Sequence, residues 1–136
     1  MSTREDYIKQ FHEAFNLDID QEPNLKLVKL RRTLIAEETK ELLADLDSVI
    51  ECLETGQEIP KELWMNMLKE MADVQVVVSG TAVSLKPVAK LEEAFKRVHE
   101  SNMSKLGLDG KPMYREDGKV MKGPNYYPPD LSDLVQ

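Results

Sequence analysis

The chain has 136 residues, 41% hydrophobic and 32% charged, a composition that suits one globular domain with a sizeable core and excludes a disordered segment. Its formal net charge of −7 argues against a general nucleic-acid binder, which needs a basic footprint, but leaves room for phosphorylated substrates accompanied by divalent cations. Aromatics are few at 6%, and the single cysteine, Cys52, excludes a disulfide framework or a thiolate metal cluster.

The first predicted element runs from Ser2 to Phe15. Ser2 and Glu5 form a capping-box pattern, and Tyr7, Ile8, Phe11, Ala14 and Phe15 fall at helical spacing. Asp18 to Pro23 is polar and turn-prone. Asn24 is placed to cap a long second helix that ends near Thr55, with Gly56 as its C-terminal breaker. Pro60 suits the first turn of a third helix carried by Leu63, Met67, Val74 and Val77, which Gly80 weakens without ending. Pro87 is expected to start a fourth helix, reaching about Leu106. Beyond it, Gly110, Pro112, Gly118, Gly123 and Pro124 break any helix, and Asp117-Gly118 suggests a small hairpin turn. The expected fold is therefore all-α: an antiparallel four-helix bundle over residues 1–107 and an irregular extension over 108–136. No charged-then-apolar leader and no run of ~18 apolar residues is visible, so a cytoplasmic location without a membrane partner is expected.

Glutamate is a good helix former, and an acidic run usually marks a solvated face. Helical geometry argues otherwise for Glu38. At ~100° per residue it lies ~20° from Val49 and ~40° from both Leu34 and Leu42, inside the apolar stripe. Glu41 is ~60° away on the same inward side, Asp45 borders it, and Glu37 points towards the rim. The third helix repeats the arrangement: Glu70 lies ~20° from both Leu63 and Val77, with Asp73 one turn on at the edge of the apolar arc. Buried carboxylates are costly unless paired or bound to metal. Two helices each bringing an inward i, i+3 pair make an oxygen cage suited to Mg²⁺ or Mn²⁺. A di-iron site is disfavoured, because neither His12 nor His99 follows a glutamate by three.

On the fourth helix, Leu91, Phe95 and Val98 form the apolar stripe. Asn102 lies ~20° and Lys105 ~40° from Leu91, so an amide and an ammonium continue the inward face. Lys105 is a candidate polyphosphate ligand and Asn102 a candidate for sugar or base. Arg115 and Lys122, in a locally basic stretch, are further phosphate candidates, and His12 beside Phe11 and Phe15 is a candidate wall of a base pocket.

Glu37-Glu38-x-x-Glu41-Leu42 followed by Glu70-x-x-Asp73 resembles the signature of the all-α nucleoside triphosphate pyrophosphohydrolases. Phe11-His12-Glu13-Ala14-Phe15, Ser101-Asn102-Met103-Ser104-Lys105 and Gly123-Pro124-Asn125-Tyr126 are similar to short MazG-like members of that group. The resemblance implies Mg²⁺ held by Glu38, Glu41, Glu70 and Asp73, water attack at the α-phosphorus, and release of pyrophosphate. It further implies Glu37 or a cage glutamate as base, Lys105 and Asn102 as contacts to a nucleoside triphosphate, and a homodimer or homotetramer. Pyrimidine-specific (dUTP or dCTP) or phosphoribosyl-ATP hydrolysis is the alternative within the same chemistry. A non-catalytic helical interaction module is the alternative outside it.

Overall fold

The structure is a computed structural model, and it describes residues 2–135. It is all-helical, with no strand among the described residues. The helices are α1 (Arg4–Ala14), α2 (Leu25–Thr55), α3 (Lys61–Ser84) and α4 (Leu91–Met103), with a short 3₁₀ turn at Lys86–Val88. None is long and apolar enough to cross a membrane. The chain divides into two compact units, Met1–Ala89 and Lys90–Gln136, so α4 groups with the tail that follows it.

Helix ends follow local chemistry. The capping box of α1 is built one residue later than expected: the Thr3 hydroxyl accepts from the Asp6 N–H, and the Asp6 carboxylate accepts from the Thr3 N–H. Ser2–Glu5 and Thr3–Asp6 have the same spacing, and threonine caps as well as serine. Asn24 caps α2 through its side chain to the Leu27 N–H at 2.9 Å, and Gly56 closes it in the left-handed region at φ 69°. Pro60 stands at the N-cap of α3, which runs through Gly80. Pro87 begins no α-helix: it lies in the 3₁₀ turn, and α4 starts only at Leu91. A tertiary contact explains the delay. The Lys86 N–H donates to the Gln21 carbonyl at 2.9 Å, tying this segment to the α1–α2 loop before the chain can rewind.

In the first unit α3 packs against both α2 and α1. Ile8, Leu27, Val49, Val77 and Ala82 are its buried apolar residues. The α1–α2 loop is pinned on the end of α3: Asp20 and Gln21 donate backbone N–H bonds to the carbonyls of Val83 and Ser84, both at 2.8 Å. The Ser84 hydroxyl donates to the Asp18 carbonyl at 3.1 Å, and His12 Nδ1 bonds that same carbonyl at 2.8 Å.

In the second unit the tail folds along α4. The Arg97 guanidinium forks onto the Asp133 carboxylate and also donates to the Asp130 carbonyl. The Ser101 hydroxyl, buried, donates to the Tyr127 carbonyl at 2.7 Å. Gly123 passes so close to the carbonyls of Lys105 and Leu106 that any Cβ there would collide with backbone. The expected hairpin is a single antiparallel bridge, Tyr114 to Val120, around Gly118 at φ 88°.

Candidate functional site

The α2–α3 seam carries the polar residues that periodicity placed inward. Early in α2, Arg31 reaches across: its Nη2 donates to the Val77 carbonyl at 2.8 Å and its Nε to the Thr81 hydroxyl at 3.1 Å. Farther along, Glu38 and Glu41 meet Glu70. Beyond them Ala44 and Asp45 share a cleft of about 310 Å³ with Asn66, Lys69 and Glu70.

Carboxylate oxygens of Glu38, Glu41 and Glu70 lie within 4.8 Å of one another. Glu70 is buried at 6% exposure, Glu38 is half-buried and Glu41 is exposed. One oxygen each of Glu38 (Oε2) and Glu70 (Oε1) is shut off from solvent with no hydrogen-bond partner. Buried polar atoms are nearly always satisfied, so a pair of orphaned acceptors facing a third carboxylate needs an explanation. The Glu38 carboxylate beside it, burial, and the Glu41 carboxylate push the Glu70 carboxyl up to about 8. Without a cation the group therefore favours its protonated form near neutrality.

Of the four expected ligands, three converge. Asp73 stands one turn along α3, where its Oδ2 accepts from Lys69 Nζ at 2.6 Å. That pairing, reinforced by the negative field of Glu70 and Glu38, raises the Lys69 pKa. Glu37 is exposed on α2, one turn from Glu41 on the same side. His12 is buried at 2% exposure and its Nδ1 is spent on the Asp18 carbonyl. The remaining candidates belong to the second unit. There Asn102 is exposed and Lys105 half-buried, Arg115 is paired with Asp117, and Lys122 lies over the Tyr126 ring at 4.8 Å.

Sequence reading passed over Lys69, Asn66 and Arg31. An i, i+4 Lys–Asp pair was visible in Lys69 and Asp73. Arg31 lies ~20° from Glu38 by helical angle, so the test that singled out Glu38 finds it too.

Three converging carboxylates, one of them exposed, with two orphaned oxygens make a hard-oxygen donor set, matched to a cation such as Mg²⁺ or Mn²⁺ and poorly matched to soft metals. The chain matches no protein-family model, and no curated protein sequence is significantly similar to it.

Proposed function

We propose that this protein is a magnesium-dependent nucleoside triphosphate pyrophosphohydrolase of the MazG-like all-α type, which converts a ribo- or deoxyribonucleoside triphosphate to its monophosphate and pyrophosphate in nucleotide-pool control or house-cleaning. The observation that carries this reading is the convergence of Glu38, Glu41 and Glu70 with two buried, unpartnered oxygens. Those three residues would hold the cation. When bound, Mg²⁺ supplies Lewis-acid polarisation of phosphate oxygens and neutralises the charge of the departing pyrophosphate.

The protein's own groups have separate tasks in this scheme. Glu70, buried and fixed by packing, holds its position at the base of the cleft. Glu41 and Glu37, the more exposed acids, face solvent on one side of α2 and are the candidates to accept a proton from the attacking water. Lys69 lines the cleft and can exchange its Asp73 partner for a phosphate oxygen, freeing Asp73 as a fourth ligand. Lys105, Asn102, Arg115 and Lys122 belong to the second unit, and the proposal of a substrate-binding role for them rests on the sequence and its family resemblance alone.

This reading carries with it the antiparallel four-helix bundle and a homodimer or homotetramer. Exposed apolar residues support assembly: Leu43, Leu46, Ile50 and Leu53 on α2, and Trp64, Leu68 and Met71 on α3. Large apolar side chains left exposed in such numbers are the kind of surface that interaction sites use.

The test is a pyrophosphate-release screen over the ribo- and deoxyribonucleoside triphosphates with Mg²⁺, beside Glu70→Gln. Pyrophosphate release that disappears in the variant is expected. Release of single phosphates would contradict attack at the α-phosphorus, and no release from any triphosphate would overturn the enzyme assignment.

A further inference from the structure

Arg31 is a buried cation at 6% exposure, and no carboxylate lies within ion-pair distance of it among the described residues. Its Nε and Nη2 are bonded to a hydroxyl and a carbonyl, both neutral, and Nη1, which is not among the solvent-excluded orphan atoms, has no hydrogen-bond partner among the described residues. Burial alone therefore lowers its pKa, with no nearby anion to offset the loss of solvent. An unpaired charge in such a place is costly.

The guanidinium is held there deliberately. Gly80 leaves room on α3 for the Arg31 head and the His12 ring, and a Cβ at that position would meet both. Arg31 also lines a cavity of about 430 Å³, whose other walls include Arg32, Val28, Ile35, Thr39 and Thr81. The cavity surface is mostly apolar, with Arg31, Arg32, Thr39 and Thr81 contributing polar groups at its margin. Arg32, Ile35 and Thr39 lie ~60–120° to one side of the Glu38 line on α2, whereas Glu41 and Ala44 lie ~60–120° to the other. The cavity and the carboxylate cleft consequently flank opposite sides of the seam.

We infer that this cavity is a second ligand site, distinct from the carboxylate cleft, which binds an organic oxyanion: a carboxylate or phosphate ester whose charged end pairs with Arg31 and Arg32 and whose apolar body lies along Val28 and Ile35. An oxyanion at Arg31 Nη1 supplies the charge the fold omits, and the guanidinium is the side chain best suited to hold it. Thr81 and Thr39 add hydroxyl donors at the rim.

The probes are phenyl phosphate, benzoate and inorganic phosphate, each titrated into the full chain in EDTA at matched ionic strength, with thermal melting and calorimetry as readouts. EDTA silences the carboxylate cleft, so failure here leaves the pyrophosphohydrolase reading untouched, and the reverse. Phenyl phosphate or benzoate at saturating concentration should raise Tm by about 4 °C or more, and inorganic phosphate by less. Which of the two organic anions binds more tightly distinguishes the phosphate-ester from the carboxylate source. Thr81→Asp places a carboxylate beside Arg31 Nε in cis and should remove the response. Arg32→Ala, at an exposed position that the fold does not need, should weaken binding ~10-fold. No response to either organic anion would overturn the inference, as would a response that survives unchanged in both variants.

Discussion

Binding of a divalent cation to the three glutamates must displace a proton, and the amount is set by Glu70. Its carboxyl, pushed up to about 8 by Glu38, burial and Glu41, is mostly protonated at pH 7 in the metal-free protein. A cation needs the carboxylate, so saturation with Mg²⁺ should release close to one proton well below pH 8 and progressively less above it. Apparent affinity should rise by up to about tenfold per pH unit below pH 8 and level off above it. Isothermal titration in Tris, HEPES and MOPS at one pH measures the release directly. Observed enthalpy plotted against buffer ionisation enthalpy has a slope equal to the protons exchanged. Glu70→Gln should flatten that slope and weaken binding together. A flat slope at pH 7 in the wild-type protein, with saturable binding intact, would refute the raised Glu70 pKa; absence of any binding would remove the metal centre itself.

The same group makes the metal-free fold sensitive to pH. Its folded pKa of about 8 lies above the ordinary 4.5, so the folded state holds the extra proton between those values and stability falls as pH rises through that window. Melting temperatures in EDTA should show this decline for the wild type relative to Glu70→Gln, and excess Mg²⁺ should abolish it, because the bound carboxylate no longer carries the proton; parallel profiles for the two proteins would count against it. Gly80→Ala should lose about 1–3 kcal/mol in urea unfolding despite a helix-propensity gain of ~1 kcal/mol, because the new Cβ displaces the Arg31 head and the His12 ring. Asn24→Ala removes the α2 cap and should cost about 1 kcal/mol by the same measurement. Arg97→Ala releases Asp133 and the Asp130 carbonyl, so amide exchange near residues 126–134 should accelerate while helical circular dichroism holds.

What was legible in the chain beforehand was whatever is decided within a few residues or by a period. Asn24 and Gly56 bound α2 because a side-chain acceptor and a left-handed residue are local requirements, and they act the same way in any helix. The start of α4 was not legible: proline chemistry permits a helix from Pro87, and it is the backbone of Gln21, far away in sequence, that holds Lys86 in another path. Inward Glu38 and Glu70 were readable from angle alone. The Lys69–Asp73 pair was readable from its i, i+4 spacing, but not that it would turn Asp73 away from the three glutamates, since a residue at the edge of the arc can turn either way and its partner decides.

Arg31 shows the limit most clearly. It shares a line on α2 with Glu38, two turns away, and both are drawn into the same seam. Angle assigns them equal standing, yet α3 treats them oppositely. It meets the cation with the Val77 carbonyl and the Thr81 hydroxyl, and meets the anion with another carboxylate. Had the seam needed only polar glue, a carboxylate on α3 opposite Arg31 and a cation opposite Glu38 would have neutralised both. Instead, among the described residues, Arg31 has no anion beside it, and the cation near the carboxylates, Lys69, is paired with Asp73. A fold gains nothing in stability from that separation; the proposed cation at one place and the proposed oxyanion at the other would each supply the charge that is missing there.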